Sequence, residues 1–188
     1  MRKKLIFTIL FIFGSVVLFE SRAQSNNPPL QVQLPTPASW RPDLEDEMDP
    51  EIEGESHFYF SDTTNIDLEV IRIDDNTLDD SLKQRGPDQF VQDILEGKNI
   101  ANNAFDAAKT ELLNYTLLQG QDGHQILELH CAQEYEDGKV ETLERFYIYD
   151  NFAAHAQLRW RLAADPAKVK EALKQFAALR INTLPDVR

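Results

Sequence analysis

The sequence contains a single cysteine, Cys131, among its 188 residues. An intramolecular disulfide is therefore excluded, and a folded domain has to be held together by its hydrophobic core. Cys131 shares the strand parity of Leu127 and Leu129, which predicts a small, buried hydrophobic side chain. The alternative, a reactive thiol, requires a neighbouring base, and the adjacent His130 should point to the opposite face of a strand.

The sequence also lacks the common signatures of catalysis. It contains no G-x-S-x-G, H-E-x-x-H or S-x-x-K motif and no glycine-rich phosphate loop. Carboxylates are abundant, and no spacing singles out a catalytic pair among them. We therefore predict a protein that is not an enzyme and that carries no cofactor.

Basic residues are scarce, with 19 Lys and Arg against 32 Asp and Glu, which gives a formal net charge of −13. Such a charge repels the phosphate backbones of nucleic acids and anionic membrane surfaces, so we expect neither as a partner. A basic protein or a cation is compatible with this charge, and so is simple solubility.

The apolar run from Leu5 to Phe19 has the form of a secretory signal peptide. Three basic residues precede the run, and Ser21 and Ala23 are the small residues of a cleavage site. As a helix the run is about 22 Å long, which is short of the roughly 30 Å hydrocarbon core of a bilayer. We predict cleavage after Ala23, a periplasmic or secreted protein and no stable membrane insertion, with an uncleaved anchor as the alternative. Removing the leader would change the formal net charge from −13 to −16, because it contains four basic residues and one acidic residue.

Residues 24–55 predict an extended arm. Its first part is rich in proline, and the stretch 43–55 contains eight carboxylates. We expect the acidic stretch to be a solvated loop; weak, diffuse cation binding is the alternative, because the spacing of a preformed calcium loop is missing. The predicted organisation is a signal peptide at 1–23, a proline-rich and acidic arm at 24–55, and a single domain at 56–188.

The first part of this domain predicts a hairpin followed by a helix. Alternating apolar residues indicate two strands within 57–73, and a change of parity at Ile71 predicts a bulge or the end of the second strand. A helical pattern begins near Thr77, breaks at Gly86-Pro87 and loses its apolar stripe at Gly97. Residues 98–109 are compatible with either helix or loop.

The second part predicts four antiparallel strands and a closing helix. The strands are expected at 112–118, 124–135, 140–149 and 153–162. Asp165-Pro166 is typical of a helix start, and the apolar stripe that follows ends near Arg180. The predicted fold class is therefore α+β, an antiparallel sheet covered by two main helices in an α/β sandwich.

This succession of elements resembles the PsbP-like superfamily. The resemblance begins at Pro37-Ala38-Ser39-Trp40, which is similar to the P-x-x-W entry of such domains. It continues through the hairpin, the helix, the glycine turn at Gly120–Gly123 and the strands, and ends at Ile181-Asn182-Thr183-Leu184. The resemblance implies a non-enzymatic module that docks on or stabilises other proteins, and it carries over no catalytic residues. The acidic stretch 43–55 departs from the compact entry strand of that family.

One set of candidate site residues is His124, Glu128 and His130, which share a strand parity. On an exposed sheet face, imidazole and carboxylate groups at these positions could bind a divalent metal. Their spacing is not that of a zinc site, so ordinary solvent-facing strand residues are the alternative.

A second set consists of His155, Arg159 and Arg161 on the polar face of the last predicted strand. Together they predict a basic strip on an acidic protein, which could receive a carboxylate or phosphate from a partner. The alternative is pairing with glutamates across the sheet. Tyr147 on the preceding strand is a further candidate for contact with a partner.

From these features we predict an exported, soluble periplasmic protein that acts as a non-enzymatic protein-binding or docking module for another envelope protein. One alternative is a small-molecule or divalent-cation binder that uses the 43–55 stretch or the face of His124 and His130. Another is an immunity-type inhibitor of a basic toxin, for which the charge of −16 would provide electrostatic steering. The sequence specifies no oligomeric state.

Overall fold

The computed structural model describes residues 30–34, 36–42, 55–61, 63, 65–73, 77–104, 108–120, 123–135, 138–150 and 152–183. The signal peptide predicted at 1–23 and nearly all of the acidic stretch lie outside the described residues. Two α-helices are present within them, α1 (Leu78–Ala104) and α2 (Pro166–Ala177).

Nine strands are found in the same part of the chain: β1 (Leu30–Gln33), β2 (Trp40–Pro42), β3 (Glu55–Phe60), β4 (Ile66–Ile73), β5 (Thr110–Gln119), β6 (Gln125–Tyr135), β7 (Gly138–Ile148), β8 (Ala153–Arg161) and β9 (Arg180–Thr183). The large sheet has the order β2-β3-β4-β8-β7-β6-β5, and each neighbouring pair is antiparallel. Strands β1 and β9 form a separate antiparallel pair. The predicted α+β fold with an antiparallel sheet is therefore confirmed.

The large sheet is the middle layer of three. On one face, Phe176 of α2 packs in a buried cluster with Leu68 and Leu158. On the other face, Ile94 of α1 packs in a second cluster with Leu129. Successive strand residues point to opposite faces, so each helix covers a different side of the sheet. The sequence predicts that two helices cover the sheet, and the structure adds that they do so from opposite sides.

Strand β4 keeps a regular register where the sequence suggests a bulge. It pairs with β8 without interruption from Ile66↔Trp160 to Ile73↔Ala153, and the strand ends at Ile73. Ile73 packs against the cluster below α1. Because both faces of the sheet are covered, β4 can carry apolar residues of either parity.

The first strand of the large sheet is bound to the closing helix. Trp40, the first residue of β2, is 4% exposed and lies edge-on to Phe60, with ring centroids 4.9 Å apart. Its Nε1 donates a hydrogen bond of 2.9 Å to Oε1 of Gln175 on α2. Hydrophobic alternation gives no signal for β2, because a three-residue strand is too short to show a period.

The two helices begin and break where the sequence indicates. Gly86 has φ 76° and ψ 163°, which interrupts α1 just before Pro87. Pro166 is the first residue of α2, and the carboxylate of Asp165 accepts a hydrogen bond of 2.9 Å from the Ala167 amide. Within the described chain, neither helix is long and apolar enough to cross a membrane.

Helix α1 continues beyond Gly97, where its apolar stripe predicts an end. The additional residues up to Ala104 are held by contacts to the start of β5. Asn99 Oδ1 accepts a 2.8 Å hydrogen bond from the Thr110 amide, and Asn102 Nδ2 donates one of 3.0 Å to Thr110 Oγ1. These tertiary contacts outweigh the roughly 1 kcal/mol by which a glycine disfavours a helix interior.

Candidate functional site

The strand residues predicted as metal ligands have protein partners instead. Glu128 accepts a 2.7 Å hydrogen bond from Nε of Arg145 on β7. Nε2 of His130 lies 3.1 Å from Oε2 of Glu141, also on β7. In the part of the chain that the structure describes, no group of three or more His, Cys, Asp and Glu residues is placed to hold a metal ion. Both side chains therefore serve cross-strand pairing.

His124 lies in the turn before β6 and is part of an aromatic stack. Its ring centroid is 4.6 Å from that of Tyr149, which in turn lies 4.5 Å from that of Phe152. The guanidinium carbon of Arg72 is 4.2 Å from the centroid of Phe152. The imidazole also occupies the space above Gly120, where an added Cβ would lie 2.3 Å from Cε1 of His124. His124 thus contributes packing to this turn.

The predicted basic strip on β8 is divided between the interior and the surface. His155 is 1% exposed and Tyr147 is 4% exposed, so the expectation that these side chains meet a partner is corrected. Arg159 is more exposed, and its Nη2 lies 2.6 Å from Oδ2 of Asp67 on β4. Arg161 lies exposed at the end of the strand. The reason is that β8 is the middle strand of the large sheet, with a helix layer on each face.

The buried His155 belongs to an ionic network between the sheet and α1. Its Nε2 lies 3.0 Å from Oε2 of Glu144 on β7, which is itself 1% exposed. Nζ of Lys98 reaches the same carboxylate from α1, at 2.8 Å from Oε2. Thr142 donates a further hydrogen bond of 3.0 Å to Oε1 of Glu144. The carboxylate is therefore paired with a charge and hydrogen-bonded at both oxygens, as a buried ion requires.

The electrostatics of this network fix the protonation states of its members. Burial alone would raise the pKa of Glu144, but the charge of Lys98 and the hydrogen bond from His155 hold it well below its ordinary value. Burial lowers the pKa of His155 below 6.5, although Glu144 favours the protonated form. Burial would likewise lower the pKa of Lys98, yet the Glu144 carboxylate raises it above 10.5. At neutral pH the network is a Glu–Lys ion pair with a neutral imidazole that donates from Nε2.

One signal in the sequence points to this network. Glu144 has the same strand parity as Val140, Phe146 and Ile148, all of which are buried. A carboxylate within such an apolar alternation has to be paired when the strand is covered. The sequence cannot identify Lys98 as the partner, because only the packing of α1 on the sheet brings it there.

Cys131 is buried on the same face of the sheet, beneath α1. Burial, with a further contribution from the negative charge of Glu144, raises the pKa of its thiol to about 12. The predicted role as a small buried hydrophobic residue is confirmed, and the thiol is not poised for nucleophilic attack.

One open feature of the described surface is the outer edge of β5. This strand is the last in the order of the large sheet, so among the described strands it has a neighbour on one side only. Leu113 is 42% exposed, and Leu117 and Leu118 are each 39% exposed. The register shifts at Leu113 and is regular from Asn114 to Gln119. A single charged residue, Glu111, is found along the ten residues of the strand.

The opposite edge of the large sheet is protected. Strand β2 has only three residues and ends in Pro42, which has no backbone N–H to offer to a further strand. Short edge strands and proline are common devices against unwanted strand pairing. Strand β5 is longer, almost uncharged and free of proline. Its bulge is the one device of this kind that we find on the described strand. We define the β5 edge as residues 113–119 and treat it as the candidate interaction surface.

Comparison with known proteins finds likeness in structure alone. No protein-family model matches the sequence, and no curated protein matches it either. The solution structure of cyanobacterial PsbP (CyanoP) from Synechocystis sp. PCC 6803 matches with a TM-score of 0.57 at 15% identity, covering 87% of this chain and 98% of that chain. The crystal structure of LpqN, involved in cell envelope biogenesis of Mycobacterium tuberculosis, matches with a TM-score of 0.51 at 8% identity, covering 82% and 85%.

TM-scores above 0.5 establish a shared fold, and identities this low leave function to be argued from the site. The two matched structures span most of this chain, in agreement with the extent of the resemblance seen in the sequence. The chain therefore has the PsbP-like fold.

Proposed function

We propose that the protein is an exported, non-enzymatic protein-binding module whose partner adds an extended segment to the β5 edge. The observation that carries this proposal is the edge itself, a long and nearly uncharged strand with three exposed leucines. Strand addition gives affinity through main-chain hydrogen bonds and specificity through alternate side chains. Leu117 lies opposite Leu127 and Leu118 opposite Ile126, so the edge offers apolar contacts on both faces of the sheet.

Export is supported by the predicted signal peptide and by the matched structures. LpqN, which shares the fold, is involved in cell envelope biogenesis. A location in the periplasm or outside the cell would place the β5 edge among other envelope proteins, which are the partners we propose.

A non-enzymatic role is supported by the position of the polar network. Glu144 and His155 are each 1% exposed, and Lys98 closes the network from the side of α1. No substrate can reach these atoms without displacement of the helix. The network therefore attaches α1 to the sheet, which supports a role that the protein carries out through its surface.

Charge determines which partner suits the edge. The net charge, −13 for the full sequence and −16 without the predicted leader, attracts basic proteins at long range and opposes the approach of a second copy. The proposed occupant is accordingly an extended, apolar segment of a basic envelope protein, flanked by Lys or Arg. Its association should slow steeply as salt is raised.

Site-specific photocrosslinking tests this proposal. A benzophenone amino acid replaces Leu117 in one variant and Leu162 in a control variant. Leu162 is also an exposed leucine, but it follows β8, which β7 and β6 separate from β5 in the large sheet. In envelope extract the first variant should crosslink one discrete basic protein, and Leu118→Lys should abolish that product. The Leu162 variant should not form it.

The opposite pattern would contradict the proposal. If crosslinking from Leu162 matches that from Leu117, or if Leu118→Lys leaves the product unchanged, the partner does not bind at the β5 edge. If the product is a dimer of this chain, the occupant is a second copy and the basic partner is wrong.

A further inference from the structure

A second surface, distinct from the β5 edge, is an apolar groove between the end of β8 and α2. Its volume is about 320 Å³, at the lower end of the roughly 300–1,000 Å³ typical of ligand pockets. Its apolar lining consists of Trp160, Leu162, Ala164, Pro166, Val169 and Leu173. Leu162 is 59% exposed, although it lies within this lining. The groove is thus apolar surface that the described chain leaves open to solvent.

Two basic residues, Arg161 and Lys170, also line the groove, and both are exposed. They come from different elements, the end of β8 and the first half of α2. On a chain with a net charge of −13, two cations beside an apolar groove provide local complementarity to a ligand with one anionic end. Guanidinium and ammonium groups both bind carboxylates by charge-assisted hydrogen bonds.

We propose that this groove binds a single-chain anionic amphiphile, a long-chain carboxylic acid. Its hydrocarbon chain lies along Trp160, Leu162 and Leu173, and its carboxylate meets Arg161 and Lys170. The proposal does not depend on the β5 edge, since the two surfaces share no residues.

An alkyl chain suits this lining better than a peptide does. A peptide segment brings an N–H and a C=O group with every residue, and each loses free energy if buried without a partner. Apart from the two cations and the indole of Trp160, the side chains that line the groove have no hydrogen-bonding group. A second copy of the chain is disfavoured by its like charge.

Titration calorimetry with the intact mature protein tests this inference, using a series of saturated fatty acids of increasing chain length. Each added methylene should strengthen binding about fourfold until the groove is full. A brominated acid should quench Trp160 emission, and Trp160→Phe should remove that quenching while Trp40 still emits. Lys170→Glu should weaken binding at least tenfold. Lys174→Glu, the same charge change on the same helix but outside the groove, should have little effect.

Three outcomes would overturn the proposal. One is the absence of binding, and another is equal loss of affinity in Lys170→Glu and Lys174→Glu. The third is displacement of the acid by an acidic peptide with an apolar end, which would assign the groove to a protein partner. Because Leu162→Lys should abolish acid binding and leave β5 crosslinking intact, failure here is distinguishable from failure of the proposed function.

Discussion

Glu144 and His155 face each other inside the protein, with Oε2 of the carboxylate 3.0 Å from Nε2 of the imidazole and both side chains 1% exposed. They lie on adjacent central strands, and Lys98 reaches them from α1. The ring of Phe146 stacks on His155 with centroids 4.4 Å apart, which closes the network from the sheet side. These contacts make the network a buried polar attachment of α1 to the large sheet.

Removing the charge of Glu144 should therefore destabilise the protein strongly. Glu144→Gln leaves the Lys98 ammonium buried without a counter-charge, and we expect the free energy of unfolding to fall by about 3–5 kcal/mol. Urea denaturation followed by circular dichroism measures the change. In the double variant Glu144→Leu with Lys98→Met, both charges are absent and much of the stability should return. A double variant whose loss equals the sum of the losses in Glu144→Leu and Lys98→Met alone would show that the two charges do not depend on each other.

The same network predicts a loss of stability in acid. The pKa of His155 is below 6.5 in the folded state, so below that pH the unfolded chain binds the additional proton and stability falls. The pKa of Glu144 is held below 4.5 in the folded state. Its contribution to the free energy of unfolding is therefore complete above pH 4.5 and is lost as the pH falls from there towards the folded-state pKa. Unfolding free energies measured between roughly pH 7 and pH 5 should decline, and His155→Gln should flatten this part of the profile. An unchanged slope in that variant would assign the decline to other groups.

The sequence predicts the layout of the fold better than it predicts the site. The hairpin, the four later strands and both helix starts follow from alternation, helical period and capping residues. Strands β1, β2 and β9 are not predicted from the sequence, because segments of three and four residues are too short to show a period. The extension of α1 past Gly97 depends on Thr110, which lies beyond the end of the helix and has no local signal.

The site could not be predicted for a related reason. In the sequence, His155 belongs to the polar face of β8, but α1 covers that face in the structure. The alternation of residues along a strand does not show which face of the sheet a helix will cover. In the sequence, the exposed leucines of β5 cannot be distinguished from the buried leucines of a core strand. Only the strand order shows that this strand lies at an edge.

The hydrogen bond between Trp40 and Gln175 should anchor the entry segment to the closing helix. Gln175→Leu leaves the indole N–H buried without its acceptor, and we expect a loss of about 1–3 kcal/mol in the free energy of unfolding. Trp40→Phe combined with Gln175→Leu should cost less than the sum of the single changes. Additive losses in thermal or urea unfolding would mean that the bond contributes no coupling energy.

The turn before β6 should not tolerate a side chain at Gly120. An added Cβ would lie 2.3 Å from Cε1 of His124, whose ring is held in the stack on Tyr149. Gly120→Ala should lower the free energy of unfolding by roughly 1–3 kcal/mol, as is typical of overpacking. Adding His124→Ala removes the clash and should restore part of that loss. A double variant less stable than Gly120→Ala alone would contradict this geometry.

The central claim is that a basic partner adds a strand to the β5 edge. Amide hydrogen exchange measured with and without the partner captured by crosslinking at Leu117 tests it most directly. A new strand ladder should slow the exchange of amides within residues 113–119, while those of β2 at the opposite edge keep their rates. Protection confined to other elements, with β5 amides exchanging at the same rates in the complex as in the free protein, would contradict the account.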